Sequence, residues 1–327
     1  MKRSVARRSW FLWFAACSAV ALAGPQSLDA GQWLFRIQQA ALKLNYGGTF
    51  VYLQQGGQPQ TSRISHVVDA SQVRERLEML DGLPLVIVRN NEEVRTYSPD
   101  TKTVVVEKRQ AKANFPALPT DQVASIVEQY RVSKWDSQRV AGIDCQVLLL
   151  EPRDGLRYTH KMWADMNSGL LIKSQVFNEK GEIVEQIAFT QVDIGGPAEK
   201  YLPRIAKRDG GRDWRIATPL VTEANFADAG WTIANPVPGF RKVLEMRRGA
   251  GDTAVGQVVF SDGLASISVF LEQLQSAVKA QEGLSSQGAV NVFRRKVGDH
   301  LVTVLGEAPP ACVTRIGRAV EFKPPPR

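Results

Sequence analysis

At 327 residues the chain is long enough for two domains rather than one. It holds only three histidines and three cysteines, and no C-x-x-C, H-x-x-x-H or H-E-x-x-H spacing, which excludes the recognised zinc motifs. Lys and Arg outnumber Asp and Glu by 41 to 33, and where that excess lies bears on what the protein binds.

The chain opens with Lys2, Arg3, Arg7 and Arg8 and has no acidic residue before Asp29. An apolar run from Trp10 to Ala23 follows and ends in Ala21-Leu22-Ala23, the layout of a secretory signal peptide cut after Ala23. The run is shorter than the roughly 20 residues a spanning helix needs, although an uncleaved anchor is the alternative. Cys17 belongs to this discarded segment. Its four basic residues leave with it, so 37 basic residues face 33 acidic ones in residues 24–327. Residues 24–195 hold 19 Lys/Arg and 20 Asp/Glu, whereas residues 196–327 hold 18 and 13. In an exported protein a basic second part suits an acidic protein segment or anionic lipid, not nucleic acid.

Trp33, Leu34, Ile37, Ala40, Ala41 and Leu44 form one apolar face and predict a helix over 30–45, with Asp29 and Gln32 as a capping box. The period then switches to two. Thr49–Leu53 and Ser62–Val68 read as a hairpin, and strand-like runs follow at 74–80, 85–89, 93–97 and 103–107. The stretch holding Lys108, Arg109, Lys112, Phe115 and Pro116 is long for a hairpin connection, and long loops of compact domains carry function. A helix over 121–130, with Val123, Ile126, Val127 and Tyr130 on one side, precedes strands at 146–150, 157–164, 170–177 and 183–192. About ten antiparallel strands with two helices predict a curved, half-closed barrel with the helices on its concave side. Two outcomes stay open for that concavity: an apolar ligand pocket, or complete filling by the helices.

Residues 197–216, rich in Lys, Arg and Gly, have no apolar period and read as a linker. The expected domains are therefore 24–196 and 217–322, with a tail at 323–327. In the second, strands at 239–247, 257–260, 265–271, 290–297 and 301–305 precede a helix opened by Pro309-Pro310, with Val313, Ile316 and Val320 in a stripe. This predicts a smaller antiparallel sheet with one helix, and an α+β protein as a whole. Residues 283–288 read as a flexible loop, and their glycine spacing is wrong for G-x-S-x-G.

No set of groups for catalysis emerges. His66, His160 and His300 each stand alone, and the double glycines are hairpin and cap residues, not phosphate cradles. The expectation is a binding protein, not an enzyme, with no cofactor and no metal. Cys145 and Cys312 allow a disulfide in an oxidising compartment, or two buried thiols.

Ordered segments along the chain resemble the RseB/MucB family of periplasmic regulators of the sigma-E (AlgU-type) envelope-stress factor. They include Trp33–Ile37, Leu44–Tyr52, Glu75–Gly82, Arg139–Gly142, Arg157-Tyr158, Trp163–Asp165 and Ser168–Ser174 in the first half. In the second half they include Phe260–Phe270, Gly288–Asn291 and Val302–Glu307. No single piece is diagnostic; their order is. The resemblance implies a LolA/LolB-like first domain that accepts acyl chains. It also implies a second domain that contacts the periplasmic segment of a membrane anti-sigma factor of the RseA/MucA type. Such a protein shields that segment from site-1 proteolysis until lipopolysaccharide or lipoprotein acyl chains release it.

By period and position, the candidate cavity lining is Leu34, Ile37, Phe50, Tyr52, Leu77, Leu85, Ile87 and Tyr97. Lys207, Arg208, Arg212 and Arg215 are candidate anion contacts, and Arg241, Arg247, Arg248, Arg294 and Arg295 candidate partner contacts. For any one basic cluster a solvated surface is the competing reading. A lipid or lipoprotein carrier and a periplasmic hydrolase are the rival functions, and self-association is left open.

Overall fold

The computed structural model describes residues 28–69, 72–108, 115–116, 123–202, 213–233, 237–274 and 281–323. The signal segment therefore lies outside the described residues. Helix α1 (Ala30–Lys43) starts at the expected capping box: Asp29 Oδ1 accepts from the Gln32 amide at 2.7 Å, and the Gln32 side chain accepts from the Asp29 amide at 2.9 Å.

The strands that follow form one open sheet: β1 (Tyr46–Gln54), β2 (Gln60–Asp69), β3 (Gln72–Met79), β4 (Val86–Asn90), β5 (Glu93–Ser98) and β6 (Thr103–Lys108). After helix α2 (Val123–Gln129) come β7 (Tyr130–Val140), β8 (Ile143–Pro152), β9 (Thr159–Asp165), β10 (Leu171–Phe177) and β11 (Ile183–Ile194). The short strand β12 (Arg215–Ala217) completes a twelve-stranded order β12-β6-β5-β4-β3-β2-β1-β11-β10-β9-β8-β7. The two ends do not pair, so the barrel is half closed. Both α1 and α2 lie on its concave side, where Leu34, Ile37 and Ile126 pack with Leu148, Leu150 and Met162.

Several local expectations change. Strand β7 has no counterpart among the expected strands: its Lys, Asp, Gln and Arg residues mask the period of two, and a bulge between Trp135 and Gln138 interrupts the register. Val127 is exposed, whereas Ile126 and Tyr130 are buried. The described ends of the expected linker are not free. Tyr201 buries its ring against Val67 on the convex face, and β12 runs parallel to β6 with Ile216 opposite Val104.

The second sheet follows the order β13-β15-β16-β17-β20-β19-β18, built from β13 (Val221–Glu223), β15 (Arg241–Arg248), β16 (Val255–Ser261), β17 (Ser266–Gln273), β18 (Gly283–Gln287), β19 (Val290–Val297) and β20 (His300–Gly306). Strands β14 (Trp231–Ile233) and β21 (Val320–Phe322) pair separately. Helix α3 (Pro310–Arg318) lays Cys312, Val313 and Ile316 on the sheet's core with Val258, Ile267, Val269, Val302 and Val304. Residues 283–287, read as a loop, form the edge strand β18. Every one of them is exposed, which removes the alternating pattern that announces a strand.

The disulfide is not formed. Cys145 and Cys312 are both free and buried in the cores of different domains, and burial pushes each thiol up to about 12.

Candidate functional site

The register lays out the concave floor. Residues directly opposite in antiparallel strands share a face, so Gly48, Ile64, Leu77, Ile87, Thr96 and Val105 form one row across β1 to β6. Ile64 is buried at the helix-covered end of this row, and Leu77, Ile87 and Val105 are half-buried towards the other. Leu85 is also half-buried, its carbonyl accepting from the Met79 amide at 2.9 Å.

Behind this row lies an aromatic floor. Phe50 meets Phe189 edge-on with centroids 5.8 Å apart, and Phe115 rests on both rings at 5.6 and 5.2 Å. Tyr52 is half-buried, and its hydroxyl donates to Glu185 Oε2 at 3.2 Å; burial first, then Glu185, raises its pKa.

The candidate lining thus divides. Phe50, Tyr52, Leu77, Leu85 and Ile87 are brought together along the sheet. Leu34 and Ile37 are fully buried core residues of α1, with no surface left for a ligand. Tyr97 lies on the other face: it stands opposite Val86 and Val104, one residue out of phase with Ile87, and meets Trp214 of the connecting segment at 6.1 Å.

A glycine makes room for the aromatic floor. A Cβ on Gly48 would sit 3.0 Å from two Phe189 ring carbons and 2.4 Å from the Gln191 carbonyl oxygen. Gly48→Ala is therefore expected to cost about 1–3 kcal/mol of stability, read by urea unfolding, because backbone must shift. An unchanged midpoint would mean the sheet yields freely there.

Next to the apolar row runs a polar one: Tyr46, His66, Glu75, Arg89, Val94 and Glu107. The rings of Tyr46 and His66 stack at 4.6 Å, and Arg89 pairs with Glu75 at 3.8 Å. At the far end Glu107 accepts from Arg248 of the second domain at 2.9 Å.

That contact belongs to a seam between the domains. At its centre the Arg157 and Asp262 side chains, both 0% exposed, pair Nε to Oδ2 at 2.7 Å. The same Oδ2 accepts from the Tyr130 hydroxyl at 3.1 Å, and Oδ1 accepts from the Leu264 and Ala265 amides. Arg157 also donates to Asp154 at 2.5 Å and to the Pro238 carbonyl, and lies over the Phe240 ring. Around this centre Asn291 donates to the Tyr158 hydroxyl at 2.8 Å, and Gln54 to the Gln287 carbonyl at 2.7 Å. Ala289 packs with Tyr158, Val176 and Val184 of the first domain.

The candidate basic residues do not gather at one point. Lys207, Arg208 and Arg212 lie outside the described residues, and Arg215 is exposed at the start of β12. Arg248 is tied to Glu107 and Gln257. Arg295 donates to the carbonyls of Gly317, Arg318 and Val320, satisfying the end of α3, so it is a capping residue and not a free partner contact. Arg294 is half-buried opposite Thr303. Arg241 and Arg247 remain exposed, the latter near the Phe226 ring. Among the described residues no group of three or more His, Cys, Asp or Glu could hold a metal, and no helix is long and apolar enough to cross a membrane.

The profile of the MucB/RseB N-terminal domain matches residues 29–207, and that of the MucB/RseB C-terminal domain matches residues 225–321. The chain belongs to the MucB/RseB family. It is 30% identical over 311 residues to the sigma factor AlgU regulatory protein MucB of Pseudomonas aeruginosa, with 93% of this chain and 94% of that protein covered. To the sigma-E factor regulatory protein RseB of Escherichia coli K12 it is 24% identical, with 95% and 98% covered. It superposes with a TM-score of 0.70, at 28% identity, on MucB crystallised in complex with MucA(peri), covering 91% of this chain and all of that one. The MucB/RseB members are named as regulators of sigma factors, and the half-barrel with a smaller sheet-and-helix domain is the architecture this chain shares with MucB.

Proposed function

We propose that this protein resides in the periplasm, where it binds the periplasmic segment of a membrane anti-sigma factor of the RseA/MucA type. Bound there it shields the segment from site-1 proteolysis and keeps the stress sigma factor inactive. Acyl chains of lipopolysaccharide or lipoprotein, held on the concave floor of the half-barrel, favour the unbound form. The supporting observation is the match along nearly the whole chain to MucB, a protein crystallised with MucA. Linkage supplies the logic: a ligand that prefers the form with low partner affinity releases the partner by the same factor. The half-buried row at Leu77, Ile87 and Val105 suits an acyl chain, and the exposed Arg241 and Arg247 suit an acidic segment.

The purified protein is expected to capture a single-span anti-sigma factor from an envelope extract, and added lipopolysaccharide to reduce that capture. Failure to capture any such protein would end this reading. Charge reversal at Arg241 and Arg247 together is expected to weaken capture about tenfold and to flatten its salt dependence, as rim charges do. Capture that is unchanged would move the contact to another surface.

A further inference from the structure

We propose that Phe115 is the resident occupant of the acyl site, and that an acyl chain enters by displacing its ring. This rests on the reading of the concave floor as a lipid site and specifies how that site is regulated.

Phe115 belongs to no strand or helix, so no hydrogen-bonded ladder fixes it. Yet its ring is half-buried on the aromatic floor, 5.6 Å from Phe50 and 5.2 Å from Phe189, with Pro116 buried beside it. It packs against two apolar clusters of the first domain, the one around α1, Leu148 and Met162 and the one around Phe50, Ile64 and Phe189. Among the described residues, what holds this side chain is its burial against two clusters. A ligand supplying the same burial can therefore replace it. Each methylene transferred from water multiplies affinity about fourfold, so the terminal carbons of a long acyl chain exceed what one phenyl ring contributes.

The seat also adjoins the seam. Val123 and Ile126 of α2 lie in the same cluster as Phe115, and Leu264 of the second domain packs against that cluster too. Ser125 Oγ donates to the Gly239 carbonyl at 3.5 Å, and a Cβ on Gly239 would lie 2.4 Å from the Gln129 side chain. Exchange of Phe115 for an acyl chain changes what α2 packs on, and α2 carries that change to the turn at 237–240. The concavity and the partner-binding domain are coupled through one short helix.

The test uses the purified protein and cis-parinaric acid, a fluorescent 18-carbon fatty acid. Phe115→Ala is expected to bind the probe about tenfold more tightly than the wild type, and Phe115→Trp more weakly. Hydrogen exchange over 123–129 is expected to quicken when the wild type is saturated with probe, and to be already fast in Phe115→Ala without it. Should Phe115→Ala melt early, Phe115→Leu and Phe115→Trp carry the comparison. Equal affinities in wild type and variants would overturn the proposal while leaving the acyl site standing. Weaker binding by Phe115→Ala would make the ring part of the wall and overturn it too. No probe binding by any of the proteins would fell the acyl-site reading, and this proposal with it.

Discussion

Asp262→Ala is expected to lower the unfolding free energy by about 3–5 kcal/mol, the largest single-residue effect in the molecule. The carboxylate is wholly enclosed and accepts four hydrogen bonds, from Arg157, Tyr130, Leu264 and Ala265. Its loss leaves the Arg157 guanidinium, also enclosed, with Asp154, the Pro238 carbonyl and the face of the Phe240 ring. An uncompensated buried charge is what makes breaking such a pair costly. Removing both charges is a different matter. Arg157→Met with Asp262→Leu is expected to recover most of the loss, because two desolvated ions give way to apolar contact. Tyr130→Phe, which removes one donor to a charged acceptor, is expected to cost about 1.5–3 kcal/mol. Urea unfolding followed by tryptophan fluorescence measures all three. A single-variant loss below about 1 kcal/mol would mean that the two domains part and water reaches the arginine, so that the seam is not a rigid joint.

The same pair bears on the rival carrier reading, in which the second domain has no part. A first domain cut off near residue 200 would bare Arg157, Tyr130 and the apolar surface of Tyr158, Val176 and Val184, all now covered from the other side. Such a fragment should lose stability for reasons unrelated to ligand carriage. The two domains are built as one closed seam.

Much of this architecture is legible in the sequence, because half-buried strands and amphipathic helices write their periods into it. The Asp29–Gln32 cap, the strand expected at 62–68 and the helix after Pro309-Pro310 appear where the residues place them, although Val320, expected on that helix, lies in β21. Legibility fails where one face is not apolar. Strand β7 lies at a sheet edge and carries Lys134, Asp136, Gln138 and Arg139, and β18 is exposed along its whole length. The site was legible only along the sheet. Phe50, Leu77 and Ile87 follow from period, but the face of Tyr97 depends on the register across the Asn91-Glu92 turn, where one residue inverts the answer. Nothing local marks Arg157 and Asp262 as partners, since they lie 105 residues apart and Ser261-Asp262-Gly263 reads as an ordinary turn. Arg295 shows the converse: a basic cluster in sequence became a helix cap once its carbonyl partners folded beside it.

Acid should weaken the protein through His160. This imidazole is buried on β9, 6.0 Å from the Tyr130 ring, and its Nε2 has no hydrogen-bond partner among the described residues. Burial drives its pKa from 6.5 down to about 4, against the opposing pull of Asp262 and Glu307 across the seam. In the unfolded chain the ring titrates normally. Between the two values the unfolded state binds more protons, so the stability from neutral His160 is complete above about pH 6.5, falls as pH drops towards 4, and levels off below. The span corresponds to about 3 kcal/mol. Its position by the Tyr130 ring, within the field of Asp262 and Glu307, directs that loss to the domain seam. His160→Leu is expected to remove this part of the acid sensitivity while leaving whatever the surface carboxylates contribute. The measurement is the difference in urea midpoint between pH 7.5 and 4.5, for wild type and variant side by side. Equal differences in the two proteins would mean that His160 keeps its proton inside the fold, with Asp262 and Glu307 outweighing burial.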